Sequence, residues 1–213
     1  MIVANGELGP GARQAARALV RPGDRVIAAD GGALHCRALG LTPETVIGDF
    51  DSLTPPDLAA LEAAGARLVR HPVRKDQTDL ELAVRWAVET GADDIVVLAA
   101  LGGRWDQTLA NLLLPALPGL GQARLRLVDG DQQIYLIRGK GRIEGRPGDT
   151  VSLIPIGGEA RGVTTDGLDY PLQRGTLPFG STLGVSNALS AEAATVTVEV
   201  GTVLCVVIGK GEG

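Results

Sequence analysis

The chain has 213 residues, with 20 Lys+Arg against 25 Asp+Glu, a formal charge of −5 and a pI near 5.1. A composition of 45% hydrophobic and 21% charged residues excludes general disorder, and net acidity without a basic run argues against broad nucleic-acid binding. No apolar run approaches the roughly 20 residues of a membrane span, the N-terminus lacks a secretory pattern, and Cys36 and Cys205 are too few for a disulfide scaffold, so a cytoplasmic protein is expected.

In chain order, short β-rich runs are predicted at residues 2–4, 25–29, 45–47, 67–70, 95–100 and 124–128. Helical patterns lie between them at 12–20, 33–39, 55–64, 79–90 and 107–117. This alternation is how βαβ units and a parallel sheet read. Thr54-Pro55-Pro56-Asp57 offers an N-cap, a proline at the first helical position and an acid in the first turn. Thr78-Asp79-Leu80-Glu81 fits a capping box, and the helix after it places Leu82, Ala83, Trp86 and Ala87 on one face, which predicts Trp86 in the core.

Beyond Val128 the texture changes. Residues 139–213 hold 15 of the 30 glycines, and helical periodicity gives way to short strands at 134–137, 151–155, 195–200 and 203–208. The last two, joined through Gly201-Thr202, read as a hairpin. The expected fold is an α/β N-terminal domain with a mostly parallel, Rossmann-like three-layer sheet, followed by an all-β sandwich or jelly-roll domain. The boundary is placed at 133/134, with 132–137 able to pair with either sheet.

The aspartates of the first domain recur just after strands or at helix starts: Asp30, Asp49, Asp51, Asp76, Asp79 and Asp106. Strand C-termini of an open parallel sheet share one edge, so residues far apart in sequence converge there. Two carboxylates about 4 Å apart repel by about 4 kcal/mol at an effective dielectric near 20, so such a cluster needs raised pKa values or a cation. Oxygen ligands without His or Cys suit Mg²⁺. If the segment is extended, Asp49 and Asp51 point the same way. Each aspartate alone also has a structural use: Asp30-Gly31-Gly32 is a turn, Thr78 and Asp106 read as N-caps, and Asp79 suits a helix dipole. Arg74, Lys75 and Arg104 lie near enough in sequence to hold phosphates. Gly6, Gly9 and Gly11 miss the dinucleotide fingerprint, and Gly139-Lys140-Gly141 and Gly209-Lys210-Gly211 miss the Walker pattern.

The order Asp30-Gly31-Gly32-Ala33, Gly48-Asp49-Phe50-Asp51-Ser52, Lys75-Asp76-Gln77-Thr78-Asp79-Leu80, Gly102-Gly103-Arg104-Trp105-Asp106-Gln107 and a late Ser186-Asn187 resembles the thiamine pyrophosphokinase family. The resemblance implies transfer of the pyrophosphoryl group of ATP to the hydroxyl of thiamine, giving thiamine diphosphate and AMP. It implies an ATP- and Mg²⁺-binding domain at 1–133, a thiamine-binding domain at 134–213, and a homodimer with the site across subunits. Carried over by motif, Asp49, Asp51 and Asp79 are catalytic and bind Mg²⁺, with Asp49 the preferred proton acceptor. Asp30, Lys75, Gln77, Thr78, Arg104 and Asp106 line the nucleotide and phosphate site, and Ser186 and Asn187 contact thiamine. Ser190 stands where some members carry a tryptophan, which leaves Phe179, Tyr170 and Trp105 to stack on the substrate's rings.

Two rival readings follow from the same residues. Asp49-Phe50-Asp51 is also the Asp-x-Asp motif of metal-dependent, nucleotide-using transferases. A non-catalytic nucleotide- or thiamine-binding protein is the other, although so dense an acid cluster has no evident use in pure binding.

Overall fold

In a computed structural model, residues 1–9 and 11–210 are described; Gly211 of the Gly209-Lys210-Gly211 motif lies outside them. The chain divides into two compact units, Met1–Gly130 and Asp131–Gly213. No helix among the described residues is long and apolar enough to cross a membrane.

The first unit runs β1 (Ile2–Val3), α1 (Ala12–Leu19), β2 (Ile27–Ala29), α2 (Gly32–Leu39), β3 (Thr45–Gly48), α3 (Pro55–Ala63), β4 (Arg67–Arg70), α4 (Asp79–Glu89), β5 (Asp94–Leu98), α5 (Trp105–Leu113) with a 3₁₀ turn at Leu114–Ala116, and β6 (Arg124–Asp129). Its strands pair in parallel in the order β6-β5-β1-β2-β3-β4. The chain therefore winds outward from β1 to β4, then returns to place β5 on the other side of β1. That reversal opens a crevice at the C-terminal ends of β1 and β5.

Side chains alternate across the sheet. Val3, Ala28, Val46, Val96 and Leu98 join Ala12 and Ala16 of α1 and Ala33, Cys36 and Leu39 of α2 in one apolar cluster. Ile2, Ile27, Ile47 and Val97 are buried at the alternate positions, and α4 packs beside β2 and β3. The α3 start has a full capping box: Thr54 Oγ1 accepts the Asp57 N–H, and Asp57 accepts the Thr54 N–H. At α4 only half the box forms. Thr78 Oγ1 accepts the Glu81 N–H, while the Glu81 carboxylate pairs with Arg85 one turn on. The buried face of α4 is Leu80, Ala83, Val84 and Ala87. Trp86 is rotated off it, half-buried under the Arg67 guanidinium 5.0 Å from its ring centroid, rather than in the core. Asp106 is not an N-cap: α5 starts at Trp105, two residues earlier than expected, and Arg104 takes the cap position.

The second unit holds β7 (Gln132–Ile137), β8 (Lys140–Glu144), β9 (Thr150–Pro155), β10 (Ala160–Asp166), β11 (Gly175–Leu177), β12 (Asn187–Ala188), β13 (Ala193–Thr197) and β14 (Val203–Ile208). Antiparallel strands β12-β9-β14-β7 form one layer and β11-β10-β13-β8 the other. Ile137, Val151, Leu153, Val203, Cys205 and Val207 from the first meet Ile143, Val163, Ala194 and Val196 from the second in one core, as in a sandwich.

The hairpin expected between 195–200 and 203–208 does not exist. β13 pairs with β8 and β10, β14 with β7 and β9, and the link between them crosses from one layer to the other. Gly201 permits the crossing. Its φ is +94°, and a Cβ there would lie 2.5 Å from the Glu159 carbonyl oxygen. Alternating valines look alike whether the next strand lies beside them or opposite.

Candidate functional site

The crevice is a cavity of about 710 Å³ whose walls come from the C-terminal ends of the strands. Asn5, Gly6 and Glu7 follow β1, Asp30 follows β2, and Asp49, Asp51 and Ser52 follow β3. Lys75, Gln77 and Thr78 come from the β4–α4 loop, Asp79 opens α4, and Gly102, Gly103 and Arg104 follow β5.

Asp30 is 5% exposed and held at φ +45°, with its N–H donated to the Ile47 carbonyl at 2.8 Å. Its Oδ1 is buried and has no hydrogen-bond partner. The Asp49-Phe50-Asp51 segment is not extended. Phe50 takes φ +66°, and its ring turns down into the core beside Leu53 and Cys36. Arg70 clamps this turn from above: its guanidinium lies 4.7 Å from the Phe50 ring centroid, and Nη1 donates to the Asp49 carbonyl at 2.9 Å. With the aromatic anchored below, both carboxylates face the cavity, and the Asp51 N–H donates to Asp49 Oδ1 at 3.3 Å. Ser52 Oγ donates to Asp51 at 3.1 Å and itself accepts from Asn5 Nδ2 at 3.3 Å.

One carboxylate oxygen each from Asp30, Asp49 and Asp51 lies within 4.8 Å of the other two. Gly48 lets the strand ends come this close, since a Cβ on it would stand 3.0 Å from Asp30 Cβ and 3.3 Å from Asp79 Cγ. Asp79 completes the cluster from α4. Lys75, whose side chain is 12% exposed, bridges Asp49 Oδ2 at 2.9 Å and Asp79 Oδ1 at 3.0 Å. Asp79 Oδ1 is buried, and the Lys75 ammonium is the partner the structure gives it.

The same ammonium affects the two acids differently. The Lys75 hydrogen bond outweighs burial at Asp49 and, with the Asp51 N–H, holds its carboxyl below the usual range. At Asp79 burial dominates and raises the pKa despite Lys75, and the charges of Asp49 and Asp30 add to the rise.

The cavity gathers Glu7, Asp30, Asp49, Asp51 and Asp79 against Lys75 and Arg104. A polyphosphate cannot enter such a site without added cations, and the clustered oxygens, one of them buried and unpartnered, fit a hard divalent ion.

Gln77 and Thr78 line the cavity, whereas Asp106 does not. It is exposed and paired with Arg104 at 2.6 Å, which steers that guanidinium along the rim. Asn5, Glu7, Ser52, Arg70 and Asn111 were not anticipated. Glu7 accepts the Gly103 N–H at 3.0 Å and buried Asn111 donates to the Ala100 carbonyl at 2.7 Å, so both shape the loop carrying Arg104. The position of 5–7 directly after the first strand was the signal available for two of them.

Ser186 and Asn187 belong to the second unit. Ser186 sits at φ +63° with an exposed side chain, its N–H donated to Ser152 Oγ at 3.0 Å. The Asn187 amide is occupied by backbone: Oδ1 accepts from the Tyr170 and Ala188 N–H groups, and Nδ2 donates to the Tyr170 carbonyl at 2.8 Å. Asn187 therefore holds the loop that displays Tyr170, itself exposed like Phe179 and Trp105.

A family model described as "Thiamin pyrophosphokinase, catalytic domain" matches residues 16–117, and one described as "Thiamin pyrophosphokinase, vitamin B1 binding domain" matches 137–203. Thiamine pyrophosphokinase of Bacillus subtilis (strain 168) is 34% identical over 165 residues, covering 76% of this chain and 77% of that one. The chain belongs to the thiamine pyrophosphokinase family. Its fold is that of the family: the crystal structure of thiamine pyrophosphokinase from Bacillus subtilis matches with a TM-score of 0.87 at 29% identity, covering 98% of each chain. That of thiamin pyrophosphokinase from Geobacillus thermodenitrificans matches at 0.84 and 27%, covering 99% of this chain and 97% of that one. Membership in this family does not favour the Asp-x-Asp transferase or the non-catalytic reading.

Proposed function

We propose that this chain is a cytoplasmic thiamine diphosphokinase, transferring the β,γ-pyrophosphoryl group of ATP to the hydroxyl of thiamine and releasing AMP. The observation that carries the proposal is the convergence of Asp30, Asp49 and Asp51, with a buried unpartnered oxygen, at the C-terminal ends of β2 and β3 on the crevice of a sheet belonging to this family. The catalytic domain is assigned to 1–133 and the thiamine-binding domain to 134–213.

Asp49, Asp51 and Asp79 would hold Mg²⁺, with Asp30 a further candidate ligand beside Asp49 and Asp51. When bound, Mg²⁺ neutralises charge on the phosphate oxygens and fixes their geometry. Lys75 and Arg104 donate to the phosphates, Gln77 and Thr78 border them, and Asp106 acts through Arg104. In the second unit Ser186 meets thiamine directly, and Asn187 acts by holding Tyr170. The positive thiazolium of thiamine suits an acidic site. The hydroxyl oxygen of thiamine bonds to the β-phosphorus while the bond from that phosphorus to the α,β-bridging oxygen breaks, AMP departs with that oxygen, and the hydroxyl proton passes to a cluster carboxylate, Asp49 by preference. A loose transition state requires little proton removal before bond formation, so positioning rather than a strong base carries the rate.

The active form is assigned as a homodimer with the site across subunits. Exposed apolar residues on both units support this: Trp105, Leu109 and Leu113 at four-residue spacing along α5, and Tyr170, Phe179, Leu183 and Val185 in the second.

The test is a product assay with thiamine, ATP and Mg²⁺. Thiamine diphosphate and AMP are expected in equal amounts. ADP with thiamine monophosphate would overturn the mechanism, and bound thiamine without product would leave a binding protein.

A further inference from the structure

The acid cluster holds its own cation. Lys75 Nζ lies 2.9 Å from Asp49 and 3.0 Å from Asp79, nearly enclosed, between two of the carboxylates assigned to the metal. It cannot swing away freely. Leaving both acids would put an ammonium into a largely desolvated position with no acceptor, and would leave Asp30, Asp49, Asp51 and Asp79 facing one another. A divalent ion entering alone would have to displace this ammonium or sit against it, and like charges at such range in a half-buried site repel strongly. A triphosphate removes the obstacle, because its oxygens offer Lys75 a new acceptor within the cavity.

We infer that Lys75 is a stand-in cation that keeps the aspartate cluster closed to free divalent metal, so that the metal is taken up only together with the nucleotide. The inference rests on the metal assignment proposed above and adds an order of binding. Lys75 is a positioning residue before the nucleotide arrives and a phosphate ligand afterwards. Its neighbours in charge are Asp49, Asp79, Asp30 and Asp51, and Arg104 and Glu7 line the same cavity.

The experiment measures binding of Mn²⁺, read by loss of the free-ion electron paramagnetic resonance signal, with no turnover involved. Wild type, Lys75→Met and Lys75→Arg are titrated with Mn²⁺ alone and with Mn²⁺ plus α,β-methylene-ATP, after melting curves establish that each is folded. Wild type should bind Mn²⁺ at least tenfold more tightly with the analogue, beyond what the analogue binds by itself in solution. Lys75→Met should bind Mn²⁺ alone at least tenfold more tightly than wild type and lose most of the dependence on the analogue, while Lys75→Arg, which keeps the charge, follows wild type. Equal Mn²⁺ affinity of wild type and Lys75→Met without nucleotide would overturn the inference and leave the metal assignment standing. Tight binding of Mn²⁺ by nucleotide-free wild type would do the same without any variant. Absence of Mn²⁺ binding in every sample, analogue included, would overturn the metal assignment and this inference with it.

Discussion

Replacing Asp30 with Asn should stabilise the metal-free protein while abolishing turnover. Asp30 is 5% exposed, and its Oδ1 has no partner. Asn keeps an unpaired polar atom at this place, so what the substitution relieves is the extra cost of burying it as a charge. Charge repulsion adds to this. At the 4.8 Å limit that encloses the oxygens of Asp30, Asp49 and Asp51, each pair of unit charges repels by about 3.5 kcal/mol at an effective dielectric near 20. Two effects reduce that figure: Lys75 already compensates Asp49, and Asp51 is exposed, so water screens it. A net gain of about 1–3 kcal/mol remains. Asn also tolerates the φ of +45° at this position, so the backbone exacts no new penalty. Thermal melts followed by circular dichroism in EDTA should show the variant melting higher by on the order of 5 °C. With Mg²⁺ and α,β-methylene-ATP the order should reverse, because only wild type binds the ion well and gains the linked stability. Turnover should fall at least 100-fold, as expected for loss of a metal-directed carboxylate. If Asp30→Asn melts below wild type in EDTA, the carboxylate is satisfied in the folded protein and the reasoning fails.

Gly48→Ala would place a Cβ 3.0 Å from Asp30 Cβ and 3.3 Å from Asp79 Cγ, so kcat should fall more than tenfold for a stability loss of about 1–3 kcal/mol, measured by steady-state kinetics beside urea unfolding. Burial alone would raise the pKa of Asp149, but the N–H groups of Arg146 at 2.7 Å and Lys210 at 2.9 Å, with the charges of both residues, outweigh it and hold the carboxyl low. Its stabilising contribution is therefore present above the unfolded value of about 3.9 and lost as pH falls toward the lower folded value, so the unfolding gap between wild type and Asp149→Asn should be open at pH 7 and close below about pH 4. Burial pushes the Cys36 and Cys205 thiols up to about 12, so a disulfide reagent at pH 8 should label neither in the native protein and both in denaturant.

The first unit was legible because its elements are local and periodic. Thr54 with Pro55 and Asp57 announces α3, and the run at 67–70 has no other reading than a strand. The second unit was less so. Strands such as Gly175–Leu177 and Asn187–Ala188 are too short to show alternation, and the valines of 195–208 carry no mark of which layer receives them. At the site the same division holds for a different reason. Aspartates at strand ends can be gathered on paper, since a parallel sheet with a switch point must bring its strand ends together. What turns them toward one point cannot. Phe50 reads as the middle of an extended tripeptide, yet its left-handed φ and buried ring, clamped by Arg70, aim Asp49 and Asp51. The counter-charge is still further from view. Lys75 is one turn from Asp79 in sequence, an ordinary pair four residues apart, but it is 26 residues from Asp49, and only the adjacency of β3 and β4 makes it the ion that both share. A sequence shows where like charges accumulate. What neutralises them depends on contacts between neighbouring loops, and in this site that contact is the Lys75 bridge from Asp49 to Asp79.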